Sequence, residues 1–244
     1  MTGRLRAELL KQRSTQTTLL LFLTMLGLVA LAIAIHVLAP SASTLSTRSH
    51  QLEVFEVGTR VGMLFAGLVG ALAITGEIRY GTIRPTFLVT PRRGPVIAAK
   101  LAISGLAGIV FGLVAEGLGA TAATAAFSAR GIENQLSGSD YLQLLVGGTT
   151  AAALWATIGL GIGALVRNQV GTLVGLCAWI LLVENLIAFD PGASQFAPGV
   201  AGLALAGKTG AGFLAPAAAA LLLVLYAAAV SAAGWLATLR RDIA

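Results

Sequence analysis

Long apolar blocks alternate along this sequence with short stretches rich in charge, glycine and proline. Six blocks reach the roughly twenty residues that a helix needs to cross a bilayer core of about 30 Å. They are residues 17–39, 54–75, 96–127, 141–166, 169–189 and 214–239. The third is longer than one crossing requires and is expected to tilt or to extend its first turns beyond the bilayer. The pattern predicts an all-α, polytopic membrane protein, one transmembrane domain over residues 1–244 with six transmembrane helices.

The connections add further elements. Residues 1–16 place Leu5, Leu9 and Leu10 at helical spacing among Arg4, Arg6, Lys11 and Arg13, which predicts an N-terminal amphipathic helix lying on the membrane surface. The first block exceeds the 7–15 residues of a signal-peptide core and is read as a retained anchor. Residues 40–53 and 128–140 read as polar loops, and Arg167–Asn168 as a very tight turn. The stretch DPGASQFAPGVAGLALAGKTGAGF, from Asp190, is too broken for a span and too apolar for an ordinary loop. It reads as a re-entrant hairpin between spans five and six, which is tolerated only where protein or water covers its backbone.

Composition agrees with this picture and narrows it. The chain is 57% hydrophobic and 11% charged, against about 25% charged in a soluble domain. Its 30 glycines suit helices that pack closely in lipid. The net charge of +6 does not point to nucleic acid, because the basic residues lie between spans, where they act as topology signals and contact lipid headgroups. With the N-terminus inside, twelve basic residues fall on the inner side and Arg48, Arg130 and Lys208 on the outer, with Arg60 in a span. The positive-inside rule therefore predicts that both termini are cytoplasmic. A lone cysteine, Cys177, rules out a disulfide framework and a cysteine metal site, and its apolar setting predicts a buried, inert thiol.

The most distinctive stretch is GEIRYGTIRPTFLVTPRRGPVIAAK, residues 76–100, with five of the sixteen basic residues between two spans. Thr82 can cap a short helix, Pro85 suits a first turn and Pro91 stops it. Ile83 and Phe87 share one face with Leu88 beside them, and Arg84, Arg92 and Arg93 rim it. An apolar knob ringed by arginines suits docking into a groove on another protein. The plainer reading is a solvated basic loop that sets topology and touches anionic lipid.

Residues 60–100 resemble the signature of type-2 ATP-binding-cassette (ABC) exporter permeases of bacteria. In that family a glutamate ends the second span, followed by Tyr/His-Gly-Thr, a TPR-type turn and a lysine opening the third span. Glu77, Tyr80, Gly81, Thr82, Thr86, Pro91, Arg92, Arg93 and Lys100 match as they stand. Trp179, Glu184 and Pro198 resemble the family's Trp…Glu…Pro re-entrant region, so the likeness covers nearly the whole chain. It implies that Glu77, Tyr80, Gly81, Thr82, Ile83, Arg84, Phe87, Leu88, Arg92 and Arg93 form a cytoplasmic coupling helix and its flanks. It also implies two cytoplasmic ABC ATPase subunits that carry ATP and magnesium, a second permease copy as homodimer or related heterodimer, and a place in the bacterial plasma (inner) membrane. The pattern G-x-x-x-x-G-K-[ST] occurs once, as GLALAGKT at residues 202–209, but it lies in the broken apolar stretch before the last span rather than between a strand and a helix as a phosphate loop requires, so nucleotide chemistry is expected on a separate subunit and this chain is not expected to be an enzyme.

Ionisable groups also interrupt the spans. Glu56 and Arg60 are four apart and share a helix face, with Arg60 about 10 Å below the start of the span. Glu116 and Glu184 fall in the same outer half, and His36 ends the first span on that side. A charge at the bilayer centre costs roughly 3 kcal/mol, so charged groups within spans usually pair or face water. Glu56, Arg60, Glu116 and Glu184 are thus expected to form a polar cluster that gates or lines a path, or else a structural ion-pair network. Two histidines without H-E-x-x-H spacing argue against a metal site. Trp155, Trp179 and Trp235 are expected to pack, and the runs Gly58/Gly62, Gly105/Gly108/Gly112, Gly159/Gly163 and Gly171/Gly175 to allow close helix contact. The expected function is export of a drug, lipid, peptide or glycan driven by a partner's ATP. The alternatives are an ion-coupled secondary transporter using the carboxylates and a non-transporting membrane anchor or sensor.

Overall fold

A computed structural model of the chain describes residues 2–82 and 93–240. In order, it contains α1 (Thr2–Ser14), α2 (Gln16–Leu38), α3 (Ala42–Leu45), α4 (Arg48–Arg79), α5 (Arg93–Ala129), α6 (Gly138–Val166) and α7 (Gln169–Ala178). A single π turn at Trp179–Val183 leads into α8 (Glu184–Ile187), followed by α9 (Pro191–Ser194), α10 (Pro198–Leu205) and α11 (Pro216–Arg240). The fold is all-helical, and no strand occurs among the described residues. Six of its helical stretches are long and apolar enough to cross a membrane: Gln16–Leu38, Arg48–Arg79, Gly94–Ala129, Gly138–Val166, Gln169–Ile187 and Pro216–Leu239.

The second span begins earlier than its apolar block. Helix α4 starts at Arg48, so most of the polar stretch after Pro40 is helical rather than loop. Its side chains explain why. Gln51 is fully buried and donates to the carbonyls of Leu45 (3.0 Å) and Glu133 (2.8 Å), while Arg48 pairs with Asp140 at 2.5 Å. Asp140 also completes a capping box with Ser137 at the start of α6, satisfying amides that the first helical turn leaves unpaired.

Helices α4, α5 and α6 form the centre, with α2 packed on α4 and α5, and α11 packed on α6. The centre closes tightly because glycines meet backbone. A Cβ on Gly159 of α6 would overlap the backbone at Gly67 of α4, and one on Gly70 would overlap the backbone at Ala156. Gly58 meets the Ala115 backbone in the same way, Gly62 packs on the Ala115 methyl, and Gly108 and Gly112 meet α6 near Thr149 and Ala152. The expected Gly171/Gly175 contact does not form, since Gly175 faces open space. Phe22 on Phe111 and Phe55 on both Phe127 and Tyr141 pack edge to face in the core.

The turn at Arg167–Asn168 is as tight as expected. Arg167 takes a left-handed conformation (φ 57°) that ends α6, and the Asn168 side chain accepts from the Gly171 amide to start α7. Beyond α8 the chain makes two short helices, each opened by a proline in its first turn. Helix α10 is buried at Ala201, Leu203 and Ala204 against α4, α6 and α11, so the broken apolar stretch becomes part of the core. Helix α1 turns Glu8 inward and leaves Leu9 and Leu10 exposed.

Candidate functional site

The buried charges gather at two places on α4. Glu56 and Glu77 lie 21 positions apart in the chain, which along a helix is about 30 Å. That separation is close to the thickness of a bilayer core.

At the end of α4 that bears Glu77, four side chains alternate in sign. Lys100 of α5, which is buried, reaches Glu8 of α1 and Glu77 of α4, each at 2.7 Å. Lys11 of α1 reaches the same two carboxylates at 3.1 and 2.8 Å. Lys100 also donates to the Ala73 carbonyl, and Gln12 reaches Ser104. Three helices are thereby pinned together by two cations and two anions. Burial works to lower the Lys11 pKa, but the hydrogen bonds and charges of Glu77 and Glu8 outweigh it and hold the amine above its ordinary value. Glu77, expected as part of the ATPase-contact segment, is a member of this cluster. Tyr80 and Thr82 are exposed, and Gly81 takes a positive φ (69°) that suits glycine where α4 ends. Ile83, Arg84, Phe87, Leu88 and Arg92, together with the expected short helix that Thr82 would cap, lie outside the described residues. Arg93 opens α5.

The second group occupies the other half of the bundle. Glu56, buried on α4, pairs with Lys208 at 2.5 Å, and Lys208 arrives from the turn after α10 with its amine 5.5 Å above the Phe213 ring. Glu116 of α5 accepts from the Thr59 hydroxyl at 2.6 Å. Among the described residues no ion pair reaches it. Its carboxylate fills a slot between helices: a Cβ on Gly58 would stand 3.1 Å from it, and one on Gly148 would overlap it.

Glu184 accepts from the Trp179 indole at 2.8 Å and from the Gly199 amide at 2.7 Å. Residues five apart lie about 140° apart around an α-helix of 3.6 residues per turn. The wider i→i+5 winding of the π turn brings Trp179 and Glu184 to one side. Arg60 and Glu184 both line a cavity of about 300 Å³, with Met63, Asn185, Ser194 and Gly199. The Arg60 charge acts on both Glu56 and Glu184.

Glu56, Arg60 and Glu184 therefore share one neighbourhood, while Glu116 stands in its own slot beside Glu56. The partners Lys208, Glu8 and Thr59 were not singled out from sequence. Two of them carried a signal: Glu8 is the only acid before the first span, and Lys208 is the only base between Asp190 and the last span. Trp179, expected only to pack, is a hydrogen-bond donor. Comparison of the sequence with protein-family models and with curated proteins finds no match to either.

Proposed function

We infer that this chain is the membrane-spanning permease subunit of an ATP-driven exporter. Separate ATPase subunits dock on the segment between α4 and α5, and a second permease copy completes the path. The observation that carries this reading is the ion cluster of Glu8, Lys11, Glu77 and Lys100. It clamps the two helices that bracket residues 83–92 to each other and to α1. A push on that segment is then passed to the bundle rather than absorbed by slack at its roots. Transport follows as alternation between two packings of the spans, driven by contacts that differ between them.

In this reading both termini and residues 80–93 are cytoplasmic, α1 lies along the bacterial plasma membrane, and α9 and α10 form a re-entrant hairpin at the outer face. The interior is apolar and rich in small residues, which suits drugs, lipids, peptides or glycans alike.

The test is docking. Phe87→Ala and Arg84→Glu should abolish co-purification with the ATPase, or uncouple its hydrolysis from transport, while membrane insertion is unchanged. Normal co-purification and normal transport in both variants would refute the assignment. One observation favours a second reading. Glu116 is buried in a span without an ion pair among the described residues, as a carrier of a coupling proton would be. Transport that follows an imposed proton gradient with no ATPase present, and that Glu116→Gln abolishes, would select ion coupling instead.

A further inference from the structure

Helix α4 is covered by protein along nearly its whole length, with one break. Between Val54 and Ile78 every residue is buried or half-buried except Arg60, which is exposed. It stands twelve positions beyond Arg48, about 18 Å along the helix, well inside the apolar span. A charge at such a depth ordinarily finds a partner. Among the described residues Arg60 has neither a hydrogen bond nor an ion pair.

The two carboxylates on which its charge acts are held by other groups. Glu56 pairs with Lys208, and Glu184 accepts at one oxygen, Oε1, from both the Trp179 indole and the Gly199 amide. A Cβ on Gly199 would overlap the Glu184 carboxylate, so that group is seated against α10 rather than free to close on Arg60. The uncharged polar side chains of the cavity wall are also engaged: Asn185 donates to the Leu181 carbonyl, and the Ser194 hydroxyl to the Pro191 carbonyl. That leaves the guanidinium, whose planar fork of N–H donors matches two oxygens of one acid group. Most of the remaining wall is apolar, with Val61, Leu64, Ile180, Leu181 and Phe213. Ile180 and Leu181 belong to the π turn, a feature that recurs at functional sites. Leu181 is 56% exposed, so the apolar wall continues to the outside of the bundle.

We propose that the cavity beside Arg60 binds an amphiphile with one oxyanion, a carboxylate or a phosphodiester, held by the guanidinium, and a hydrocarbon chain laid along Ile180 and Leu181. At about 300 Å³ the cavity is at the small end of ligand pockets. It takes the head group and the first methylenes, and the rest of the chain leaves over Leu181. A wholly apolar occupant would strip water from the guanidinium and offer no counter-charge. A second negative charge would meet Glu184 with no further cation on the wall to balance it, so the ligand is a monoanion. The assignment needs α4 to lie in a membrane; it does not need the chain to be a permease.

The probe is a fatty acid carrying a diazirine on its chain. It is irradiated with the whole chain in dodecyl maltoside micelles, which bear no charge, at mildly alkaline pH, and labelled residues are mapped by mass spectrometry. Labelling should concentrate on Ile180, Leu181 and Val200. Plain fatty acid should compete at about tenfold lower concentration than its methyl ester, because only the acid makes charge-assisted hydrogen bonds. Arg60→Gln should cut labelling of these residues about tenfold, with helicity and elution volume unchanged. Arg60→Lys keeps the charge without the planar fork and should fall between. Phosphatidylglycerol added to the micelles separates two sources of the same chemistry. Suppression of labelling assigns the site to a bilayer lipid head group, and competition by the free acid alone assigns it to a single-chain acid. The proposal is overturned if acid and ester compete alike, if Arg60→Gln labels as the unmodified protein does, or if label spreads evenly over the outer faces of α2 and α11.

Discussion

The carboxylate of Glu116 fits between α4 and α6 only because Gly58 and Gly148 leave room for it. Gly148→Ala should therefore overpack the slot and lower stability by about 1–3 kcal/mol. The added methyl meets the carboxylate itself, so the cost should largely vanish in the background of Glu116→Ala. A double-mutant cycle on thermal unfolding in detergent measures that coupling, and strictly additive costs would show that the two sites do not touch. Glu184 allows a parallel argument. Its carboxylate takes one hydrogen bond from Trp179 and one from Gly199. Trp179→Phe removes the first donor and should cost about 1–3 kcal/mol. In the background of Glu184→Ala the same substitution should cost much less. Glu56, Arg60, Glu116 and Glu184 were legible in the sequence because each interrupts an apolar run. Their partners were not. Lys208 meets Glu56 across 152 positions, and no periodicity in either helix encodes that register.

At the scale of elements, the apolar blocks gave the six long helices, but apolarity does not mark where a helix ends. Helix α4 runs back to Arg48 because Gln51 and Arg48 find partners in neighbouring segments, and such partners are invisible in a hydropathy pattern. The π turn at Trp179–Val183 was equally hidden, since one wide turn changes the winding without changing composition. The clamp on α1 was hidden for another reason. Residues 1–16 read as a basic, amphipathic stretch, whereas its buried contact is acidic, Glu8 with Lys100. Lys100→Met would leave Glu8 and Glu77 with only the half-exposed Lys11 between them. Breaking a buried pair from one side typically costs about 3–5 kcal/mol. Hydrogen exchange of the α1 amides should rise sharply in that variant, while exchange in α6, which packs mainly on α4, α5 and α11, should stay slow. Unchanged protection of α1 would mean that something other than the ion cluster holds it. The sign of the Lys11 shift fixes the pH window. A lysine whose folded pKa is raised stabilises fully below its unfolded value and loses that contribution as pH climbs through the folded one. Its ordinary value is 10.5, so protection of α1 in the unmodified protein should be flat across about pH 6–9, apart from the intrinsic rate of exchange.

For the whole molecule, α4 is the helix most covered by protein, while α2, α5, α6, α7 and α11 turn large apolar side chains outward, among them Leu20, Leu31 and Leu38 on α2, Val110 on α5, Val146 on α6, and Val170 and Leu186 on the α7 side. Outward faces of that kind belong against lipid or another protein subunit. The two charge clusters are about 30 Å apart along α4, the thickness of one bilayer core, and are expected to lie at its two faces. That arrangement makes a topological prediction independent of any transport assay. With Cys177 replaced by serine, single cysteines are placed at Ser46, before α4, and at Tyr80, after it; both positions are exposed. A membrane-impermeant maleimide should label Ser46→Cys in right-side-out vesicles and Tyr80→Cys only in inside-out ones, because one crossing separates them. Ser139→Cys, at the start of α6, should follow Ser46→Cys, since α4 and α5 together cross twice. The basic residues clustered near Tyr80 lead the positive-inside rule to predict the inner side for that position. If Ser46→Cys and Tyr80→Cys react from the same side, α4 does not cross, and neither the outer polar site nor an inward-facing docking segment survives. If they react from opposite sides but with the inner and outer assignments exchanged, the crossings stand and the docking segment faces away from any cytoplasmic ATPase, which leaves ion coupling as the reading to pursue.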